Sequence, residues 1–331
     1  MKIVSYGVRP IEESFFHKLN TFSYILDLVP ELLTSDNVHL CQGADVVMLR
    51  SNCNADKNNL IKMKELGIKY ILTRTVGYDH IDLKMVKELE FELCARIPSY
   101  SPTAVSELAV SIALGLSRKT IAMTMNTSHK DYKIYNHYFS KEIRHSTVGV
   151  IGTGRIGICS VKSFLGLGAK VLGYDPYPPE EIKSIIDLVD LDTLLQESDI
   201  ILLHTPYFKD SNYHFVNEQF INKMKNNSIL INTARGELVD LKAILKGIKS
   251  GKLAGVGLDV LENENMCFFR DNTDQKLQDP IIEELSSYYP RVIITPHVGS
   301  FTEVALTNMI EISYQNLDQF LKYGFCDNIL I

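Results

Sequence analysis

Three polar residues in the second half of the chain, Arg235, Glu264 and His297, each stand a few positions beyond a short apolar run. Arg235 follows Ile229-Leu230-Ile231-Asn232, Glu264 follows the run ending at Asp259, and His297 follows Val292-Ile293-Ile294-Thr295-Pro296. An arginine offers a planar, permanently charged fork that matches a carboxylate, which suits a 2-oxo acid. Histidine titrates near neutrality and can give or take the proton of a carbonyl or alcohol. A carboxylate beside it would orient the imidazole and favour the protonated form needed for a reduction. Glu264 fits that part.

Taken singly, each residue also fits a structural role. Arg235 reads as a helix-start or surface residue, Glu264 as part of the solvated run Glu262-Asn263-Glu264-Asn265, and His297 as a loop histidine. Their joint placement after consecutive strands favours chemistry, because ligands of an open parallel sheet bind beyond the carboxyl ends of its strands. His204, after Ile200-Ile201-Leu202-Leu203, is the main rival to His297. It leads into Thr205-Pro206, as in a turn beneath a cofactor, with no comparably placed acid. His80 in Gly77-Tyr78-Asp79-His80 reads as a structural loop residue. Neither is assigned to proton transfer.

Upstream lies a dinucleotide fingerprint, Gly152-Thr153-Gly154-Arg155-Ile156-Gly157, between the strand-like Thr147-Val148-Gly149-Val150-Ile151 and a helical pattern. Gly152 would allow a tight turn, Gly154 the approach of a pyrophosphate, and Gly157 close packing of helix on strand. Free amides and the positive helix end then favour an anion. A second strand, Lys170 to Tyr174, ends at Asp175, roughly the twenty-residue offset at which an acid accepts from an adenosine ribose. Asp175 would repel a 2′-phosphate, so NAD is expected and NADP is not. A strand-to-helix turn in some other α/β protein is the competing reading.

These elements predict α/β architecture. From Gly149 onward, six strands alternate with helices: the two named above, then Asp199 to Leu203, Ser228 to Asn232, Gly255 to Val260 and Val292 to Thr295. That pattern predicts a Rossmann doubly wound parallel sheet. The preceding hundred residues alternate separately, with strands near Lys2 to Tyr6, Val46 to Leu49, Tyr70 to Thr73 and Glu92 to Ala95, and helices near Glu12 to Leu19, Lys57 to Leu66 and Leu83 to Leu89. Leu306, Met309, Ser313, Leu317 and Phe320 keep helical spacing up to Gly324, and that helix with Cys326 to Ile331 could return to complete the first domain. The expected organisation is a catalytic domain of residues 1–100 plus 300–331, with the Rossmann domain at 101–299. Thr103 is expected to cap a long helix containing Glu107 to Leu116. The Tyr/His-rich stretch Ser128 to Ser140 has no clear period and reads as an exposed arm or a dimer contact.

The 331-residue chain, 45% hydrophobic with net charge −6, has the composition of a soluble globular protein of about two domains. Its basic residues form no run that would track a nucleic-acid backbone. No signal-peptide pattern opens the chain and no apolar stretch reaches bilayer length, so a cytoplasmic location without membrane partners is expected. The six cysteines form no CxxC pair, so neither a metal site nor a disulfide framework is expected.

The segments VGVIGTGRIG, ILINTARGELVD, GVGLDVLENE and VIITPH resemble, in order and spacing, the motifs of the NAD-dependent D-2-hydroxyacid dehydrogenases. The similarity spans essentially the whole chain and points to the branch with D-lactate and (R)-2-hydroxyisocaproate dehydrogenases. It implies a Rossmann domain inserted into a smaller flavodoxin-like α/β domain, a site in the cleft between them, and a homodimer. It assigns Arg235 to the substrate carboxylate and carbonyl, His297 to acid/base work and Glu264 to the histidine. For NAD it implies Gly152, Gly154, Arg155, Ile156 and Gly157 at the phosphates, Asp175 at the ribose, Thr205 and Pro206 beside the adenosine, and Asn212 as a further polar contact. Thr233 and Ala234 would line the nicotinamide, with Asp259 accepting from its carboxamide. Val76 and Gly77 would bind the substrate carboxylate through their backbone, and Tyr100 would line the pocket.

Two departures bear on the substrate. Ser300, followed by Phe301, stands where lactate-type members often carry an aromatic, and Ser51-Asn52-Cys53-Asn54 lacks the bulky aromatic that can narrow the pocket. A roomier pocket favours a branched 2-oxo acid, 4-methyl-2-oxopentanoate, over pyruvate, and a place in branched-chain amino acid fermentation. D-lactate dehydrogenase activity on pyruvate is the alternative within the class. An NAD-sensing binding protein without turnover is the alternative outside it. Formate dehydrogenases usually pair their histidine with glutamine, and phosphoglycerate dehydrogenases often carry regulatory sequence absent here.

Overall fold

The computed structural model describes residues 1–331. It divides into two compact units, Met1–Ser101 with Ser300–Ile331, and Pro102–Gly299. Strands β1 (Lys2–Tyr6), β2 (Ile25–Val29), β3 (Val46–Leu49), β4 (Tyr70–Thr73) and β5 (Leu93–Arg96) alternate with helices α1 (Pro10–Leu19), α2 (Lys57–Glu65) and α3 (Leu83–Glu88). They build a parallel five-stranded sheet in the order β2-β1-β3-β4-β5, the flavodoxin-like order. The second unit holds α4 (Pro102–Ser117), α5 (Thr120–Ser128), β6 (Thr147–Ile151), α6 (Arg155–Gly166), β7 (Lys170–Tyr174), β8 (Asp187–Leu188), α7 (Leu191–Glu197) and β9 (Ile200–Leu203). It continues through α8 (Glu218–Lys223), β10 (Ser228–Asn232), α9 (Leu241–Lys249), β11 (Leu253–Leu258), α10 (Pro280–Ser286) and β12 (Val292–Ile294). Helix α11 (Glu303–Tyr323) belongs to the first unit.

The central strands are apolar on both faces because both faces are covered. In β3, Val47 and Leu49 enter one core, with Val4, Tyr6 and Leu60. Val46 and Met48 enter the opposite core, with Leu306, Ile310, Tyr314 and Leu317 of α11. The Thr302 hydroxyl caps α11 by accepting from Ala305 N, and Gly324 ends it at φ +74. The last residues then pair with β5: Cys94 N donates to Ile331 O at 2.9 Å and Leu330 N to Cys94 O at 2.7 Å. That covers a sheet edge which would otherwise expose unpaired amides.

The second sheet is parallel throughout, in the order β12-β11-β10-β9-β6-β7-β8. The order reverses between β6 and β9, the switch point beyond which a doubly wound sheet binds its ligand. Two strands escaped the sequence pattern. β2 is an edge strand with Asp27 interrupting its apolar run, and β8 has only two residues, so the sheet has seven strands instead of six. Helix α4 opens at Pro102, whose missing N–H suits a first turn, so Thr103 lies inside that turn and does not cap it.

No single helix is long and apolar enough to cross a membrane; α4 and α5 reach that length together but bend by 69°. Ala109, Ile112, Ala113 and Leu116 of α4 are buried against the sheet. Five cysteines are buried, Cys159 is half-buried, and none is paired.

Candidate active site

The fingerprint glycines each have a local reason. Gly152 has φ +89, and a Cβ there would lie 2.6 Å from the His204 carbonyl oxygen. A Cβ on Gly157 would lie 2.0 Å from Gly152 O, so only glycine allows α6 to seat on the turn. Gly154, the N-cap of α6, is different: a Cβ would meet nothing within 4 Å. Open space thus lies before the first-turn amides of a twelve-residue helix, which have no carbonyl of their own to bind. Asp175, just past β7, accepts from Thr153 N at 2.7 Å and from Tyr177 N at 2.9 Å.

Beyond the strand ends, His297 Nδ1 lies 2.6 Å from Glu264 Oε1. This leaves Nε2 as the imidazole nitrogen available to a substrate. His297 has φ +53, a left-handed conformation that a non-glycine residue holds only when its neighbours enforce it. Asp259 supplies the enforcement. It is 2% exposed, accepts from the Thr295 hydroxyl at 2.6 Å and from Val298 N at 2.9 Å through Oδ1, and accepts from Gly299 N at 2.8 Å through Oδ2. Burial pushes the Asp259 carboxyl up, and these donors oppose that rise.

Arg235 ends the turn after β10. Asn232, fully buried, accepts from Ala234 N and donates to Arg235 O at 2.8 Å, shaping that turn. The Arg235 guanidinium donates to Ala234 O at 2.7 Å and pairs with no carboxylate. A guanidinium with no carboxylate partner can receive an anion, and a histidine bonded to a carboxylate can give or take a proton.

Residues 110–299 match the profile of the family described as D-isomer specific 2-hydroxyacid dehydrogenase, NAD binding domain. An aromatic 2-oxoacid reductase of Clostridium sporogenes is 39% identical over 330 residues, 99% of this chain and 98% of that protein. The D-lactate dehydrogenase of Lactiplantibacillus plantarum is 38% identical, covering 99% of this chain and 98% of that one. The solved D-2-hydroxyisocaproate dehydrogenase superposes with a TM-score of 0.88 at 36% identity, covering 100% of this chain and 99% of the other. The chain belongs to the D-2-hydroxyacid dehydrogenases. It is an NAD-dependent oxidoreductase that reduces 2-oxo acids to D-2-hydroxy acids.

Two features of the second unit of this dehydrogenase fit the dinucleotide: the open cradle at Gly154, and the Thr233 hydroxyl, buried after β10 with no hydrogen-bond partner. Asn212 lies in the loop after β9. Its side chain accepts from Phe208 N at 2.7 Å and donates to Pro206 O at 2.8 Å, stapling the loop that starts with Thr205 and Pro206. The two rival histidines, His204 and His80, are engaged within the fold. His204 bonds Ser160 Oγ through Nε2 at 2.8 Å, and burial pushes its pKa down to about 4. His80 bonds the Thr73 hydroxyl at 3.1 Å and is likewise pushed down to about 4 by burial.

In the first unit, the loop with Val76 and Gly77 is held by its carbonyls. Arg96 donates to Val76 O at 3.0 Å and the Thr75 hydroxyl to Gly77 O at 2.6 Å. Tyr100 is half-buried at the end of that unit. Phe301 is half-exposed, with the Arg9 guanidinium 4.2 Å above its ring. The dehydrogenase has no cluster of three His, Cys, Asp or Glu side chains arranged for a metal. The anchoring bonds of Asp259 leave no local signal in the sequence, nor do those of Glu262, whose carboxylate bonds Tyr213 and His214, or the close approach of Gly236 to Leu261. The one visible hint is that position 236, directly after Arg235, is a glycine.

Proposed function

We propose that the chain reduces 4-methyl-2-oxopentanoate to (R)-2-hydroxyisocaproate, using Arg235, Glu264 and His297. The observation that carries the catalytic roles is the 2.6 Å bond between His297 and Glu264 at strand ends that also present the unpaired Arg235. Bound NADH supplies the hydride. Arg235 holds the substrate carboxylate and polarises its carbonyl. His297 holds the proton at Nε2, and the Glu264 carboxylate stabilises the charged imidazole until that proton leaves.

The remaining assignments follow the family pattern. Gly152, Gly154, Arg155, Ile156 and Gly157 bind the phosphates, and Asp175 the ribose. Thr205, Pro206 and Asn212 form the adenosine-side loop, while Thr233, Ala234 and Asp259 serve the nicotinamide. Val76 and Gly77 serve the substrate carboxylate, and Tyr100 lines the pocket. The domains are 1–100 plus 300–331 for the substrate and 101–299 for NAD.

Ser300 and the aromatic-free Ser51–Asn54 loop support a branched side chain. One or two methylenes shift such preferences by about 1 to 3 kcal/mol each. The similarity to an aromatic 2-oxoacid reductase supports a second reading, in which phenylpyruvate is preferred. Values of kcat/KM for pyruvate, 4-methyl-2-oxopentanoate and phenylpyruvate, with chiral analysis of the products, decide among them. A best value for pyruvate or phenylpyruvate rejects the branched-acid reading.

We place the protein in the cytoplasm as a homodimer. Ile134 at 88% exposure and Phe139 at 91% supply apolar surface of the kind a partner covers. Light scattering after size exclusion tests this: a monomer at micromolar concentration rejects it.

A further inference from the structure

Glu262 stands two residues before Glu264 and faces a different pair of groups. Its Oε1 accepts the Tyr213 hydroxyl at 2.8 Å, and its Oε2 lies 2.8 Å from His214 Nε2. The Tyr213 and His214 rings stack with centroids 3.9 Å apart. His214 has φ +50, a left-handed conformation that a non-glycine residue keeps only where its surroundings enforce it. The strain therefore falls on a residue that is held at both its ring and its backbone.

That backbone is joined to the turn bearing Arg235. His214 N donates to Glu237 O at 2.9 Å, Val216 N to Leu238 O at 2.9 Å, and Asp240 N to Val216 O at 3.0 Å. Gly236, directly after Arg235, is pressed on the peptide before Glu262: a Cβ would lie 2.0 Å from Leu261 C and 2.3 Å from Glu262 N. Segments leaving β9, β10 and β11 thus converge on Glu262. The first continues the adenosine-side loop, the second carries Arg235 and the third carries Glu264.

We propose that Tyr213, Glu262 and His214 form a positioning clamp that fixes the Glu264 loop against the Arg235 turn, so that imidazole and guanidinium address the same substrate. The clamp rests on the roles proposed above for Arg235, Glu264 and His297. A solvated ion pair would contribute little and leave catalysis unmoved. Here both oxygens of Glu262 are engaged by adjacent residues of one segment, and its side chain is 27% exposed. A misplacement of about 1 Å at a reacting centre can cost roughly a hundredfold in rate.

The test compares Glu262→Ala, Glu262→Gln and Gly236→Ala with the parent. The measurements are kcat, KM for the oxo acid, NADH affinity by fluorescence, and the downfield proton resonance of the imidazole N–H bonded to Glu264. That resonance is assigned by its loss in His297→Ala. Glu262→Ala is expected to lower kcat about tenfold to a hundredfold, to leave NADH affinity within about twofold, and to shift or broaden the resonance. Glu262→Gln, which still accepts the Tyr213 hydroxyl, is expected to recover kcat to within about threefold of the parent. Gly236→Ala attacks the same contact without touching the carboxylate and is expected to lower kcat in the same direction. Parent-like kcat and resonance in Glu262→Ala, with kcat lowered at least about a hundredfold in His297→Ala, overturn the clamp and leave the catalytic roles standing. Parent-like turnover in His297→Ala overturns those roles and the clamp with them.

Discussion

His297 and Glu264 share a 2.6 Å hydrogen bond through Nδ1, although 33 residues separate them in the chain. The bond occupies Nδ1 and leaves Nε2 as the nitrogen that the proposed role of His297 requires. Replacing His297 by alanine is expected to lower kcat by about 10² to 10⁴, the range in which a positioned general acid contributes. Glu264→Gln keeps the hydrogen-bond acceptor but removes the charge, so a smaller loss, about tenfold to a hundredfold, is expected with NADH affinity unchanged. Steady-state rates with 4-methyl-2-oxopentanoate check both, and a Glu264→Gln variant slower than His297→Ala contradicts this order of roles.

Arg235→Lys tests the guanidinium as a fork and not merely as a charge. Lysine keeps the charge but cannot make two parallel hydrogen bonds to a carboxylate. Losing one charge-assisted bond, about 1.5 to 3 kcal/mol, predicts a fall in kcat/KM of roughly tenfold to a hundredfold. The dissociation constant of NADH should stay as it is. An equal loss in NADH binding shows that Arg235 acts on the cofactor instead.

Much of the fold is legible in the sequence, for identifiable reasons. Strands covered on both faces, such as Val46–Leu49 and Ile200–Leu203, are uninterrupted apolar runs, and their alternation with helices leaves few topologies. The edge strand Ile25–Val29 hid behind Asp27, because an edge needs only one apolar face. Arg235, Glu264 and His297 could be picked out because each follows a strand. Asp259 looked like a cofactor group alone, since its bonds to Thr295, Val298 and Gly299 reach up to 40 residues along the chain. Glu262 looked solvated because Tyr213 and His214 lie 48 or more residues away in sequence. Contacts of that kind come from the tertiary fold and leave no local period.

Asp175 should set the choice between NADH and NADPH. Its carboxylate sits at the end of β7, bonded to Thr153 N and Tyr177 N. Asparagine preserves an acceptor for Thr153 N while removing the charge that repels a 2′-phosphate. Asp175→Asn is therefore expected to raise relative NADPH use about tenfold, equivalent to about 1.4 kcal/mol. The ratio of kcat/KM for the two coenzymes measures this. A ratio unchanged from the parent removes Asp175 from coenzyme selection.

Stability should fall in mild acid through His80 and His204. Burial holds each near a pKa of about 4 in the folded chain, against an ordinary value of 6.5. Between those values the unfolded chain takes up protons that the folded one refuses, so stability is fully present above pH 6.5 and declines as pH falls towards 4. The slope has a ceiling of about 1.4 kcal/mol per pH unit for each histidine. His204→Gln can still bond Ser160 and has no proton to take up, so its denaturant midpoint should change less than the parent's from pH 7 to 5. The same is expected of His80→Asn at Thr73. If the double variant loses stability as steeply as the parent over that range, carboxylates and not these histidines govern the acid response.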